Sequence, residues 1–273
     1  MGQIEKALKK KRKTSSLQEE DAPVPISGSI DRANEIVDFA RLPNMIPDED
    51  LLVSNRIVAA QADAPERSLY KVLRTRVLQR LRAAQWNVIG VTGAGPGEGK
   101  TLTAINLAYS LAQDVSHSVV LIDLDLRRPS IHGVLGLEPK HDLSDFLDGS
   151  AKLEEILVRP DEKRLAIMTN QNVYKDSSEI LSSPEIGWLV RQLKNLGPKT
   201  ITIIDLPPVL AGDDVIAFAP LIDALLLVVG QGTCRRDALV ETHELLQDTN
   251  ILGVILNRAR EHTLKSGYYD YYK

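Results

Sequence analysis

The 273-residue chain has one cysteine, Cys234, and only 4% aromatic residues. A single cysteine excludes an internal disulfide framework and points to a reducing, cytosolic compartment. With so few rings, a core built from the 43% apolar residues must be aliphatic. No apolar run reaches the roughly 20 residues of a membrane-spanning helix. The longest, around 221–229, is interrupted by Asp223. No apolar segment follows the charged N-terminus, so no secretory leader is expected. The histidines at 117, 132, 141, 243 and 262 lack metal-ligand spacing, which argues against zinc. The net charge is −4 and no basic run marks the globular part, so no nucleic-acid partner is expected.

Charge is concentrated at the start. Lys6, Lys9, Lys10, Lys11, Arg12 and Lys13 face Glu5 alone, with Ile4, Ala7 and Leu8 as a narrow apolar stripe. Residues 1–13 read equally as a weak membrane-surface or partner helix and as a solvated one. Residues 14–62, with Ser15, Ser16, Glu19, Glu20, Asp21, Pro23, Pro25 and Gly28, read as flexible linker, apart from a short helix at 30–39. The expected organisation is a basic N-terminal helix and linker over 1–62, a globular domain over 63–260 and a tail over 261–273.

Leu69, Val72, Leu73, Val77, Leu78 and Leu81 recur at helical spacing and predict a helix over 65–84. Apolar, β-branched runs at 87–92, 118–123, 165–169, 200–205, 224–229 and 251–256 predict strands. They are nearly continuous rather than alternating, as in strands buried on both faces. The expected fold class is therefore α/β: a doubly wound, mostly parallel sheet with helices on both faces.

After the first strand comes Gly93-Ala94-Gly95-Pro96-Gly97-Glu98-Gly99-Lys100-Thr101, then a helix with Leu102, Ile105, Ala108, Leu111 and Ala112 on one face. Strand, glycine-rich loop and helix together are the setting of a P-loop, here with Ala94 in place of the first glycine. Backbone N–H groups of such a loop cradle phosphates, and the helix adds its positive end. Gly95, Pro96, Gly97, Glu98, Gly99, Lys100, Thr101 and Leu102 are the expected nucleotide-binding residues. Lys100 would neutralise the β- and γ-phosphates, and the Thr101 hydroxyl would bind Mg²⁺.

Two later strands deliver acids. Val119-Val120-Leu121-Ile122 leads to Asp123 and Asp125, and Ile201-Thr202-Ile203-Ile204 leads to Asp205. Ligands of doubly wound sheets sit beyond the carboxyl ends of the strands, so these acids can converge on the loop. One carboxylate can hold Mg²⁺ and another can accept a proton. Asn257 ends the last strand and could lie near the nucleotide base, or could simply close a turn. Asp213 and Asp214 read as helix caps. Four of the seven tyrosines crowd into the tail at Tyr268, Tyr269, Tyr271 and Tyr272.

Pro96-Gly97-Glu98-Gly99-Lys100-Thr101, Leu121-Ile122-Asp123-Leu124-Asp125-Leu126-Arg127-Arg128-Pro129 and Ile203-Ile204-Asp205-Leu206-Pro207-Pro208 together resemble the three nucleotide motifs of bacterial tyrosine autokinases. These are cytoplasmic kinases of capsule and exopolysaccharide export. The resemblance spans about residues 65–260 and includes Ser130-Ile131-His132 and Leu143-Ser144-Asp145. It implies an ATP- and Mg²⁺-dependent tyrosine kinase. Asp123 would be the general base, catalytic together with Lys100 and Asp125, and Asp123, Asp125 and Asp205 would join Thr101 as the Mg²⁺-associated residues. Tyr268, Tyr269, Tyr271 and Tyr272 would be acceptors, modified by a neighbouring copy. It further implies self-association, activation by a membrane chain-length-determining copolymerase, and a place at the inner membrane through that partner. The family's Glu-x-x-Arg-x-x-Arg ring motif is only partly kept, at Ser68, Lys71 and Arg74. Partition ATPases of the same superfamily carry a second lysine where this chain has Gly95. A catalytically silent nucleotide-binding adaptor is the other alternative.

Overall fold

The computed structural model describes residues 37–259. In chain order the elements are α1 (Glu49–Ser54), α2 (Arg67–Ala84), β1 (Val88–Thr92), α3 (Lys100–Ala112), β2 (Ser118–Asp123), α4 (Ile131–Leu135), α5 (Leu143–Leu147), β3 (Leu157–Val158), β4 (Leu165–Met168), α6 (Ser177–Leu181), α7 (Pro184–Asn195), β5 (Thr200–Asp205), α8 (Asp214–Phe218), β6 (Ala224–Gly230), α9 (Arg236–Leu245) and β7 (Ile251–Asn257). The strands form one sheet in the order β3-β4-β2-β5-β1-β6-β7. Every neighbouring pair is parallel except β3 with β4. β3 has two residues, too few to show a period in the sequence.

Burial explains the strand composition. β1 and β5 are buried along their whole length, so both faces must be apolar. Val120 and Ile122 of β2 turn to one layer with Leu189 and Leu193 of α7. Val119 and Leu121 turn to the other, with Leu107 and Leu111 of α3 and Val77, Leu78 and Leu81 of α2. At the β7 edge the pattern weakens: Leu252 is buried, whereas Val254 and Leu256 are exposed. The N-terminal half of the expected α2 stripe also stays in solvent, at Leu69 and Val72.

Residues 37–62 correct the linker expectation. They include α1 and bury Val37, Leu42, Ile57 and Ala59. For residues 56–59 the cause lies on α3, which is buried nearly all round. Its Asn106 Oδ1 accepts from Ala59 N–H at 2.9 Å, and Asn106 Nδ2 donates to the Arg56 carbonyl at 3.1 Å. A buried amide needs such partners, and residues 56–59 supply them. Short-range patterning could not show this, because the partners lie about 50 positions apart.

Candidate functional site: a phosphate loop ringed by three aspartates

The loop leaves the middle of the sheet, where β1 lies between β5 and β6. It is tied down before any ligand arrives. Val209 N–H donates to the Gly93 carbonyl at 2.9 Å and Leu210 N–H to the Ala94 carbonyl at 3.2 Å. Thr92 Oγ1 donates to the Pro207 carbonyl at 2.6 Å. Gly97 and Gly99 have φ of 73° and 90°, the left-handed region that glycine enters without penalty. They reverse the chain so that Lys100 opens α3. Asn257 Nδ2 donates to the Glu98 carbonyl at 2.9 Å, which places the end of β7 against the loop. Ala94 is buried without a left-handed backbone, so its methyl group is accommodated. A Cβ at Gly95 would meet nothing within 4 Å.

Asp123 and Asp205 are register partners on β2 and β5, and both are fully buried. Asp205 Oδ2 accepts from Thr101 Oγ1 at 2.6 Å, and Ser130 Oγ donates to Thr101 Oγ1 at 3.4 Å. Asp123 Oδ2 accepts from the N–H groups of Ser130 and Ile131, each at 2.9 Å. Asp123 Oδ1 has a longer bond, 3.3 Å from Asp125 N. Asp125 Oδ1 accepts from Arg128 N at 3.1 Å.

Desolvation dominates the electrostatics. Burial pushes the Asp123 carboxyl up to about 7, against the downward pull of the Ile131 and Ser130 N–H groups, and the like charge of Asp125 adds to the rise. Burial, then the charge of Asp123, holds Asp205 well above the carboxylate range, with the Thr101 bond opposing. Asp125 is raised by burial as well, while the Arg128 N–H and the charge of Lys100 lower it. Three acids face one buried lysine, so the site has room for a further cation.

The donor set fits Mg²⁺. Asp205 Oδ1 is buried without a hydrogen-bond partner beside the Thr101 hydroxyl. Among the described residues no group of three His, Cys, Asp or Glu side chains could hold a metal alone. That suits an ion held by one or two carboxylates together with substrate phosphates and water.

Other expected residues fall differently. Asp213 stands at the N-cap of α8 but makes no side-chain cap bond, and Asp214 is no cap either. Asp214 is 2% exposed and pairs with Arg127 Nη2 at 2.8 Å, and it accepts a hydrogen bond from Ser177 Oγ. Arg127 Nε in turn donates to Ser177 Oγ at 3.0 Å. This node braces the loop after β2 against α6 and α8, and nothing in residue spacing announced it. Arg74 is half-buried and donates to the Ser110 carbonyl at 2.8 Å, holding α2 to α3 within one chain. Ser68 and Lys71 are exposed. Tyr268, Tyr269, Tyr271, Tyr272 and residues 1–13 lie outside the described residues.

Sheet, loop and acids define a P-loop nucleotide-binding domain. Residues 89–273 match the model of the CobQ/CobB/MinD/ParA nucleotide binding domain family, to which the chain belongs. Within it, the chain is 30% identical over 205 residues to the tyrosine-protein kinase YwqD of Bacillus subtilis, covering 74% of this chain and 84% of YwqD. It is 30% identical to the tyrosine-protein kinase CpsD of Streptococcus pneumoniae, covering 69% of this chain and 82% of CpsD. The VpsO kinase domain superposes with a TM-score of 0.61 at 30% identity, over 71% of this chain and 98% of that domain. The protein is a member of the bacterial tyrosine autokinases associated with capsule and exopolysaccharide. Some relatives are much longer: the chain spans 29% of the succinoglycan biosynthesis transport protein ExoP of Rhizobium meliloti.

Proposed function

We propose that this chain is an ATP- and Mg²⁺-dependent tyrosine autokinase that modifies its own tail tyrosines, Tyr268, Tyr269, Tyr271 and Tyr272, in a neighbouring copy, and so regulates exopolysaccharide or capsule synthesis. The observation that carries the reading is the Thr101–Asp205 hydrogen bond beside the glycine loop, with the second Asp205 oxygen left without a partner.

Loop N–H groups of Gly95 and of Gly97 to Thr101 receive the β- and γ-phosphates, Pro96 having none to offer, and Lys100 offsets their charge. Leu102 continues the helix whose positive end faces them, and Asn257 holds the loop from the β7 side. Thr101 and Asp205, with Asp125, would hold Mg²⁺, which supplies charge neutralisation of the phosphates when bound. Asp123 is suited to base work: a carboxyl near 7 can take a proton at physiological pH. Its Oδ1 is the less committed oxygen. The tyrosine oxygen bonds to the γ-phosphorus, the bond to the β-bridging oxygen breaks, ADP leaves, and the phenolic proton passes to Asp123.

Activation is assigned to a membrane copolymerase. No helix among the described residues is long and apolar enough to cross a membrane, and ExoP is more than three times longer than the region it shares. A cytoplasmic protein held at the inner membrane by that partner accounts for both. Filling four tyrosines adds about −6 to −8 charges, enough to repel the tail from three carboxylates.

Incubation with ATP and Mg²⁺, with and without the copolymerase, followed by mass spectrometry, tests this. Phosphate is expected on the four tail tyrosines, lost in Lys100→Met and largely lost when all four become Phe. Nucleotide binding with no phosphotyrosine in either condition overturns the kinase reading in favour of a silent adaptor.

A further inference from the structure

Glu98 belongs to the nucleotide loop, yet its side chain is 2% exposed. It folds back under the loop. A Cβ built on Gly93 would collide with Glu98 Oε2 and with the Val228 carbonyl of β6, so the carboxylate lies against the start of the loop. A Cβ on Gly230 would lie 3.4 Å from Glu98 Cα, which puts the end of β6 against the same residue. The Cys234 thiol, in the turn after β6, faces the Glu98 carboxylate, and Asn257 at the end of β7 holds the Glu98 carbonyl. Three strand ends thus meet at one residue: Gly93, after β1, touches its carboxylate, whereas the ends of β6 and β7 reach its backbone. Glu98 Oε2 has no hydrogen-bond partner, an uncommon and destabilising state for a buried oxygen.

We propose that Glu98 is the positioning residue of the phosphate loop: wedged between Gly93 and Cys234, its side chain sets the Gly97–Gly99 turn in the shape that receives phosphate. The role rests on reading Gly93–Thr101 as the nucleotide site, and it does not depend on phosphate transfer. The carboxylate acts from behind the loop, through Gly93 on one side and Cys234 on the other. Burial and then Glu98 push the Cys234 thiol up to about 11, so the thiol keeps its proton beside the carboxylate, while it also donates to the Arg235 carbonyl at 3.6 Å. Glycine at Gly93 leaves the space that the Glu98 side chain fills. Alanine at position 98 removes the wedge, whereas glutamine keeps its shape and an oxygen that can still accept from the thiol.

Two measurements on the full chain test this. The first is affinity for a fluorescent ADP analogue with Mg²⁺, alongside melting of the nucleotide-free protein. Glu98→Ala is expected to weaken ADP at least tenfold, Cys234→Ala about threefold, and Glu98→Gln less than threefold, with melting little changed. A purely structural residue would lower melting and leave affinity, measured well below the transition, intact. The second is reaction of Cys234, the sole cysteine, with a disulfide reagent at pH 8. Loss of the neighbouring charge in Glu98→Gln should speed it at least fivefold, because each unit of thiol pKa changes the thiolate fraction about tenfold here. Unchanged ADP affinity in Glu98→Ala, or an unchanged thiol rate in Glu98→Gln, overturns the role. Wild-type protein that binds no ADP overturns the nucleotide reading itself, a result distinct from either.

Discussion

Thr101 and Asp205 lie 104 positions apart and meet at 2.6 Å, hydroxyl to carboxylate. The pair joins the first turn of α3 to the end of β5. It also leaves Asp205 Oδ1 buried and unpartnered. Burying an oxygen without a partner costs free energy in the folded protein.

Asp205→Asn should therefore separate stability from activity. Removing a buried ionisable group whose acidity burial has suppressed is expected to raise the melting temperature of the nucleotide-free protein at pH 8 by about 2–4 °C, equivalent to about 1 kcal/mol. Mg²⁺-dependent tyrosine phosphorylation should fall at least a hundredfold. Calorimetric melting and a phosphotyrosine assay check the two halves. A lower melting temperature with activity retained would show that Asp205 is structural only.

Proton release should accompany Mg²⁺·ADP binding. At pH 6 the Asp123 carboxyl, at about 7, is mostly protonated in the free protein. A nearby cation favours its charged form, so a proton leaves. At pH 8.5 Asp123 is already ionised and contributes none. The sign for stability follows: a raised carboxyl disfavours folding progressively as pH rises from the ordinary value near 4 to about 7, and no further above it. Titration calorimetry at pH 6 in buffers of different ionisation enthalpy should show more proton release than at pH 8.5. Equal release at both pH values would remove Asp123 from the linkage.

The loop glycines should differ in a definite order. Gly97→Ala meets no neighbour within 4 Å and suffers only from its left-handed backbone, a cost of about 1–2 kcal/mol. Gly99→Ala carries the same backbone strain and also strikes the Asn257 amide. ADP affinity is expected to fall about tenfold in the first, and at least tenfold more in the second. Fluorescence titration of both variants gives the ranking, and a reversed order would contradict the loop geometry.

Arg127→Ala leaves Asp214 buried with only Ser177 against it. Because Arg127 itself is 39% exposed, the loss should be about 2–3 kcal/mol, less than the roughly 3–5 kcal/mol of a fully buried pair. Urea denaturation measures it. Arg127→Ala with Asp214→Asn should recover part of the loss, since the orphaned charge goes with it.

Much of the fold could be read from residue order because its parallel strands are buried on both faces, which forces unbroken runs such as Val119–Ile122. The phosphate loop was legible for a local reason: Gly97, Gly99, Lys100 and Thr101 act within one turn. Asp123 and Asp205 were legible as strand-end acids, although their pairing with Ser130 and Thr101 depends on register across β2 and β5. The Arg127–Asp214–Ser177 node, the return of Glu98 beneath its loop and the docking of residues 56–59 on Asn106 were not legible. Each joins positions remote in sequence, or turns a charged side chain inward against its usual preference for solvent. Leu69 and Val72 show the opposite limit: their helical period is sound, but at that end of α2 it is Tyr70 and Leu73 that turn toward the core layer.

Asn106 lies on the same helix as Lys100 and Thr101, fewer than two turns further along. Residues 56–59 grip it by two hydrogen bonds. A domain cut at residue 63 would expose that amide, along with the apolar back of α3 that Ile57 and Ala59 cover. The same grip makes residues 56–59 a support of the helix that opens with Lys100.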